Sequence, residues 1–241
     1  MDHPHKNSVF FQRTSEALES ITRDRTRTNL LKKGEQNAIA YLVQCVPSWV
    51  SSNMLTAFGF FGNLVVFSSF LLARYINVYF LFLGLAGFVI SWLGDSLDGR
   101  LAYYRNKPRK YYGFTLDITV DWMSILLIGC GYIVYIEGVW ELLGYIFVLM
   151  YGWEIIIALM RYKITGKYSI DAGKVGPTEV RIIIASVMVL EVFLPGSLKY
   201  SALVICSVLF IVNIMDTTNL LKVADEKDVE EAKGVKSKVE S

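Results

Sequence analysis

Several stretches of this chain are long, apolar and free of charged side chains. Residues 54–73 contain no acidic or basic group, and comparable runs recur through the rest of the sequence. Crossing a bilayer takes about 20 helical residues, because hydrocarbon offers no partner to unpaired backbone groups. Hydrophobic residues make up 54% of the chain, which is too apolar for an ordinary soluble domain. The sequence therefore predicts an all-α integral membrane bundle.

We predict six transmembrane helices in one domain that covers residues 35–222. The spans, which share apolar centres, are residues 54–73, 76–104, 114–136, 139–160, 179–194 and 198–221. Residues 1–34 form a polar arm without apolar periodicity. Residues 223–241 form a charged tail, which we expect to fray from Asp225 onwards.

An amphipathic helix is predicted before the first span, over residues 35–47. Apolar side chains recur at helical spacing, at Ile39, Leu42, Val43 and Val46. Pro47 ends the pattern. Two interpretations fit equally well: the helix lies along an anionic membrane surface, or it packs against the bundle.

Basic residues mark one side of the predicted bundle. The N-terminal arm and the loops 105–112 and 161–181 are rich in Lys and Arg, whereas the opposite loops contain Arg74 and Lys199. Because loops rich in Lys and Arg stay on the cytoplasmic side, both termini are expected to be cytoplasmic.

Four aspartates stand at the cytoplasmic ends of two predicted spans. Asp95 and Asp98 are three residues apart, and Asp117 and Asp121 are four apart, so each pair shares one helix face. Charged groups at membrane depth are costly and indicate function by default. Two facing pairs repel unless cations lie between them, and oxygen ligands favour Mg²⁺, Mn²⁺ or Ca²⁺. A capping role explains one such residue, but not four at this spacing.

This stretch resembles the CDP-alcohol phosphotransferase pattern, D-x2-D-G-x2-A-R followed by eight or nine residues and G-x3-D-x3-D. The matching positions are Asp95, Asp98, Gly99, Ala102, Gly113, Asp117 and Asp121. Tyr103 stands where the family has arginine, and Arg105 is the nearest cation that would replace it. The resemblance is firm from about residue 50 to 125.

The resemblance implies a membrane enzyme of phospholipid biosynthesis. Such enzymes transfer a phosphoalcohol or phosphatidyl group from a CDP-alcohol donor, such as CDP-diacylglycerol, to a hydroxyl acceptor and release CMP. It also implies two Mg²⁺ or Mn²⁺ ions, a surrounding lipid bilayer, a homodimer and no nucleic-acid partner. The ions would be held by Asp95, Asp98, Asp117 and Asp121. Asp121 would also serve as the general base.

The resemblance assigns further residues to the substrates. Gly99, Ala102 and Gly113 would shape the CDP site, because small residues let a substrate approach the helix closely. Tyr103 or Arg105 would take the place of the arginine that contacts phosphate.

Several residues outside this pattern fit either a substrate-binding role or a structural one. Asn53 and Thr56 resemble the family's Asn-x-x-Thr start and would line the nucleotide pocket, although Asn53 alone also fits a helix cap. Lys174, Glu179 and Arg181 would contact the acceptor, or would only belong to a polar loop.

Three further acidic residues lie near the predicted spans. Glu154 either faces the polar cavity or pairs with Arg161. Glu191 and Asp216 are expected near helix ends, in contact with solvent.

Other functions remain open from the sequence alone. A UbiA-like prenyltransferase also uses aspartates and Mg²⁺, but its motifs lie on well-separated helices. A cation transporter would place acidic residues near mid-span on several helices. A family member without activity is the remaining alternative, for which Tyr103 is the hint. The acceptor and the form of the donor are not specified by the motif.

Overall fold

The computed structural model describes residues 32–166 and 176–239. Within these ranges the chain forms seven α-helices and no strand. The helices are α1 Lys32–Cys45, α2 Ser52–Tyr75, α3 Leu81–Tyr104, α4 Lys110–Tyr135, α5 Leu142–Thr165, α6 Pro177–Phe193 and α7 Ser197–Val239. Short 3₁₀ turns precede α3 and α5, at Val78–Phe80 and Gly138–Glu141. The all-α prediction is confirmed.

Five helical segments are long and apolar enough to cross a membrane. They are Ser52–Tyr75, Val78–Tyr104, Lys110–Tyr135, Gly138–Thr165 and Ser197–Lys233. The predicted span 179–194 forms α6, whose 17 residues extend about 25 Å, close to the lower limit for a crossing. The chain is thus a multi-pass membrane bundle, with five clear spans and a shorter sixth helix.

Helix α1 packs against the bundle through one apolar face. Ile39, Ala40 and Val43 are fully buried and contact Leu97 and Leu101 near the end of α3. Of the two interpretations of this amphipathic segment, the structure favours packing against the bundle.

Helices α2 and α3 approach each other through small residues. A Cβ at Gly62 would lie 2.5 Å from the backbone nitrogen of Ser91 and 2.6 Å from the carbonyl oxygen of Gly87. Gly94 likewise abuts the backbone of Gly59. Small residues at such contacts are a common means of helix association in membranes. This approach brings the end of α3 beside the start of α2.

Helices α5 and α7 run parallel in a fixed register. Three α7 side chains donate hydrogen bonds to α5 carbonyl oxygens, and each bond joins residues 63 apart in sequence. The pairs are Cys206 with Leu143, Asn213 with Met150, and Lys227 with Ile164. The three donors on α7 are separated by multiples of seven residues, which is the repeat of coiled coils.

The charged tail is helical rather than frayed as far as Val239, where α7 ends. Lys227 ties this segment to the end of α5 through the carbonyl of Ile164. The segment is also rich in Lys, Glu and Ala, which have high helix propensity.

Glu191 is buried, contrary to the expectation that it contacts solvent. Its side chain is 3% exposed and accepts hydrogen bonds from the Tyr135 hydroxyl, the Ser197 hydroxyl, and the backbone amides of Gly196 and Leu198. The carboxylate therefore caps the start of α7 and joins it to α4 and α6.

We expect Glu191→Gln to destabilise the protein, because an amide cannot accept all four of these hydrogen bonds. Charged hydrogen bonds contribute about 1.5–3 kcal/mol each, so thermal unfolding should occur several degrees lower. Glu230→Gln, at an exposed position of α7, is the matched control. Equal melting temperatures for the two variants would contradict the capping role.

Candidate active site

The four aspartates line one cleft at the end of the bundle where α2 starts and α3 ends. Asp95 and Asp98 come from α3, and Asp117 and Asp121 come from the first half of α4. The cleft has a volume of about 260 Å³, including the space at its open mouth, and is also lined by α2 and by the start of α6. The structure thus brings the two predicted carboxylate pairs to one site.

Arg181 supplies the positive charge in this cleft. Its guanidinium lies 2.8 Å from the Asp95 carboxylate, and both side chains are largely shielded from solvent. Within the described ranges, four carboxyl groups and one guanidinium line the cleft, so acidic groups outnumber basic groups by three. Of the two acceptor-site candidates that the structure describes, Glu179 and Arg181, Arg181 is the one that contacts an aspartate of the cleft.

Thr56 fixes the orientation of Asp98. The Thr56 hydroxyl donates to Oδ2 of Asp98 at 2.6 Å, and the Gly99 backbone amide donates to Oδ1. Thr56 is buried in the cleft wall, one turn into α2. The Asn-x-x-Thr start of α2 therefore contributes its threonine directly to the site.

Asn53 lies at the rim, outside the cleft lining. It accepts a hydrogen bond from Arg109 at 2.5 Å and donates to the Tyr112 hydroxyl at 3.2 Å, while the Arg109 guanidinium stacks on the Tyr112 ring. Ser51, rather than Asn53, caps α2 by accepting from the Met54 amide. The alternative that Asn53 caps its helix is therefore wrong.

Asn63 and Ser124 form part of the cleft wall that the sequence analysis missed. The Asn63 amide donates to the Ser124 hydroxyl at 2.7 Å, and both side chains are buried. The signal was an amide side chain in the middle of an otherwise apolar span, where polar groups are costly.

Gly99 and Gly113 border open space. A Cβ at either position would meet no atom of the described chain within 4 Å. Ala102 and Tyr103 are half-buried on the last turn of α3 and do not line the cleft. Gly99 and Gly113 thus leave room for a ligand without being required for packing.

Arg105 is engaged by backbone carbonyls of the α1–α2 connection. Its guanidinium donates to Val50, to Val46 at 3.2 Å and to Pro47 at 2.8 Å. These hydrogen bonds join the α1–α2 connection to the end of α3. The predicted contact of Arg105 with phosphate stays a prediction.

We expect Arg105→Ala to lower stability, because three carbonyl oxygens lose a charged donor. The loss should be about 2–3 kcal/mol and should appear as a lower melting temperature. Lys107→Ala, two residues on and exposed, is the control. A variant that melts normally but has weak donor binding would instead support the phosphate role.

Glu179 caps α6 rather than lining the cleft. Its Oε2 accepts from the Gly176 amide at 3.0 Å, which is the glutamate half of a capping box at the first turn of that helix. Lys174 lies outside the described residues.

Comparison with protein-family models gives a match that contains this cleft. The family model for CDP-alcohol phosphatidyltransferase matches residues 49–215, which include the whole cleft. The chain belongs to the CDP-alcohol phosphatidyltransferase family. Comparison with curated protein sequences gives no match. The family match extends well beyond residues 50–125, where the resemblance was firm, and it supports a membrane phosphotransferase.

The cleft of this family member offers the ligands that Mg²⁺ and Mn²⁺ prefer, since all four acidic groups are carboxylates. As arranged, however, no three acidic, His or Cys side chains in the described ranges are close enough to hold an ion. Asp95 is engaged by Arg181 and Asp98 by Thr56. The donor chemistry therefore fits divalent cations, although the carboxylates do not form a closed ligand set.

Proposed function

We propose that this protein transfers a phosphoalcohol or phosphatidyl group from a CDP-alcohol donor, such as CDP-diacylglycerol, to a hydroxyl acceptor, releasing CMP. The reaction would be a step in phospholipid biosynthesis. The observation that carries the proposal is the convergence of four aspartates and Arg181 on one cleft, within the segment that matches the family model.

In the proposed reaction, the acceptor oxygen forms a bond to the phosphorus attached to the donor's alcohol. The bond from that phosphorus to the oxygen of CMP breaks, and CMP leaves with this oxygen. Asp121 accepts the proton of the attacking hydroxyl. Arg181 keeps Asp95 directed into the cleft, and Thr56 does the same for Asp98.

Divalent ions complete the proposed site. Two Mg²⁺ or Mn²⁺ ions would be held by Asp95, Asp98, Asp117 and Asp121. When bound, they supply positive charge against the pyrophosphate and the leaving phosphate. The excess of carboxyl groups over basic groups in the described part of the cleft supports this assignment, because ionised carboxylates without cations would repel the diphosphate of the donor.

We further propose that the cleft faces the cytoplasm and that the protein forms a homodimer. The orientation is supported by the basic residues beside the cleft, on the connection from α3 to α4, and by the positive-inside rule. Cytoplasmic exposure would give the site access to soluble nucleotides. The homodimer rests on the family resemblance.

The test is a CMP-release assay on purified protein in lipid nanodiscs. CDP-diacylglycerol and head-group-linked CDP-alcohols are each combined with glycerol phosphate, inositol, inositol phosphate, serine and amino alcohols. We expect CMP from one donor–acceptor pair, only with Mg²⁺ or Mn²⁺, and a lipid product whose mass identifies both substrates. Folded protein that releases no CMP with any pair would overturn the proposal.

A further inference from the structure

A second group of buried polar side chains lies between α5 and α7, outside the aspartate cleft. Glu154 is 6% exposed and Asn213 is fully buried. Among the described residues, no hydrogen-bond partner reaches Oε2 of Glu154, Oδ1 of Asn213, Oδ2 of Asp216 or the Thr217 hydroxyl. Unsatisfied polar atoms are costly in a membrane, and four at one interface require an explanation.

The helix register places these groups at one level. The Asn213 amide donates to the carbonyl of Met150, one turn before Glu154 on α5. Thr217 follows Glu154 by the same 63 residues that separate the hydrogen-bonded pairs of α5 and α7, so these two residues lie side by side at the interface. Asn213, Asp216 and Thr217 are spaced three and four residues apart, so they share the α7 face that meets α5.

The chemistry of the unsatisfied atoms favours a cationic ligand. Two carboxylate oxygens and one amide oxygen can only accept, and the single hydroxyl can donate one hydrogen bond. Arg161 lies 4.0 Å from the Asp216 carboxylate, so one basic group accompanies the two acidic groups Asp216 and Glu154. With both acidic groups ionised, one negative charge remains, together with an all-oxygen ligand set that suits a hard cation.

We propose that Glu154, Asn213, Asp216 and Thr217 bind one monovalent metal cation, Na⁺ or K⁺, which fastens α5 to α7. The single charge of such an ion would neutralise the cluster, whereas Mg²⁺ or Ca²⁺ would leave an excess positive charge. The site differs from the aspartate cleft in its residues and in its ion. Asp216, which was expected near a helix end and in contact with solvent, lies within α7 with one oxygen buried and its side chain 16% exposed.

A shared proton is the competing explanation. If Glu154 were a neutral carboxylic acid, its proton could bridge to Asp216 or Asn213 and satisfy two of the atoms. That arrangement needs no ion, and the stability of the protein would then not depend on which monovalent cation is present.

The test measures thermal unfolding of the full chain in detergent at equal ionic strength in NaCl, KCl or N-methyl-D-glucamine chloride, with Mg²⁺ constant. We expect Na⁺ or K⁺ to raise the melting temperature saturably, by about 5 °C at about 100 times its dissociation constant. Binding of radioactive Na⁺ or Rb⁺ in excess Mg²⁺ should approach one ion per chain. Equal melting temperatures in all three salts, without radioactive-ion binding, would overturn the proposal.

Substitutions in the proposed site test whether the rise of the melting temperature with Na⁺ or K⁺ comes from this site. Glu154→Gln should abolish the rise of the melting temperature. Thr217→Val removes one neutral ligand with little change of shape, and should raise the cation concentration that gives half of the full response. Asp121→Asn in the cleft should retain the full response, so a failure of the proposed transferase activity would be distinguishable from a failure of this site. An undiminished response in both Glu154→Gln and Thr217→Val would also overturn the proposal.

Discussion

Replacing Asp121 by Asn is expected to reduce CMP release by about 10²–10⁴-fold, the usual contribution of a general base. Asparagine has nearly the same shape, so the cleft and the bundle should persist, but its amide cannot accept the proton of the attacking hydroxyl. The measurement is the rate of CMP release with the donor–acceptor pair and divalent ion that give activity in the unmodified protein.

Two comparisons distinguish the general-base role of Asp121 from an unspecific effect of the substitution and from a role in metal binding. Asp225→Asn makes the same chemical change at an exposed position of α7 and should leave the rate unchanged. If Asp121 also binds a metal ion, its variant will need a higher Mg²⁺ concentration, whereas a pure base leaves that requirement unaltered. Near-normal turnover in Asp121→Asn would remove the general-base assignment.

The cleft was predictable because its main features are local. Spacings of three and four residues place each aspartate pair on one helix face, and this depends only on the local helix and not on its packing. The long apolar runs force helices, and the turn between the second and third spans brings the two faces together. The pattern also argues against a transporter, because these four carboxylates cluster at one end of the bundle rather than along several helices.

Partners chosen by tertiary packing were not predictable. Arg181 reaches Asp95 because α6 packs beside α3, and no spacing in the sequence specifies that contact. Arg105 looked like a free cation, yet the α1–α2 connection surrounds it with carbonyl oxygens. Glu191 looked like a solvated helix end, but the α6–α7 turn supplies three hydrogen-bond donors to it and Tyr135 on α4 supplies a fourth. For Arg181 and Arg105 the partners are distant in sequence, and for Glu191 the conformation of the turn determines which nearby groups reach the carboxylate.

Alanine at Gly99 and alanine at Gly62 should have opposite consequences, although the chemical change is the same. At Gly62 the new Cβ would press on the α3 backbone, so α2 and α3 must separate and the protein should lose about 1–3 kcal/mol of stability. At Gly99 the new methyl group meets no atom of the described chain within 4 Å. Because alanine also has the higher helix propensity, Gly99→Ala should melt at or slightly above the temperature of the unmodified protein.

The cost of Gly99→Ala should instead appear in catalysis. If the donor lies against this turn of α3, next to Asp98, the methyl group occupies space that the substrate needs, and CMP release should fall roughly 10-fold to 100-fold. Gly113→Ala is the parallel case on α4, because its Cβ also meets open space. Both variants are assayed for melting temperature and for the donor concentration that gives half-maximal rate. A stable Gly99→Ala protein with full activity would mean that the donor binds elsewhere in the cleft, and that Gly99 matches the family pattern without shaping the CDP site.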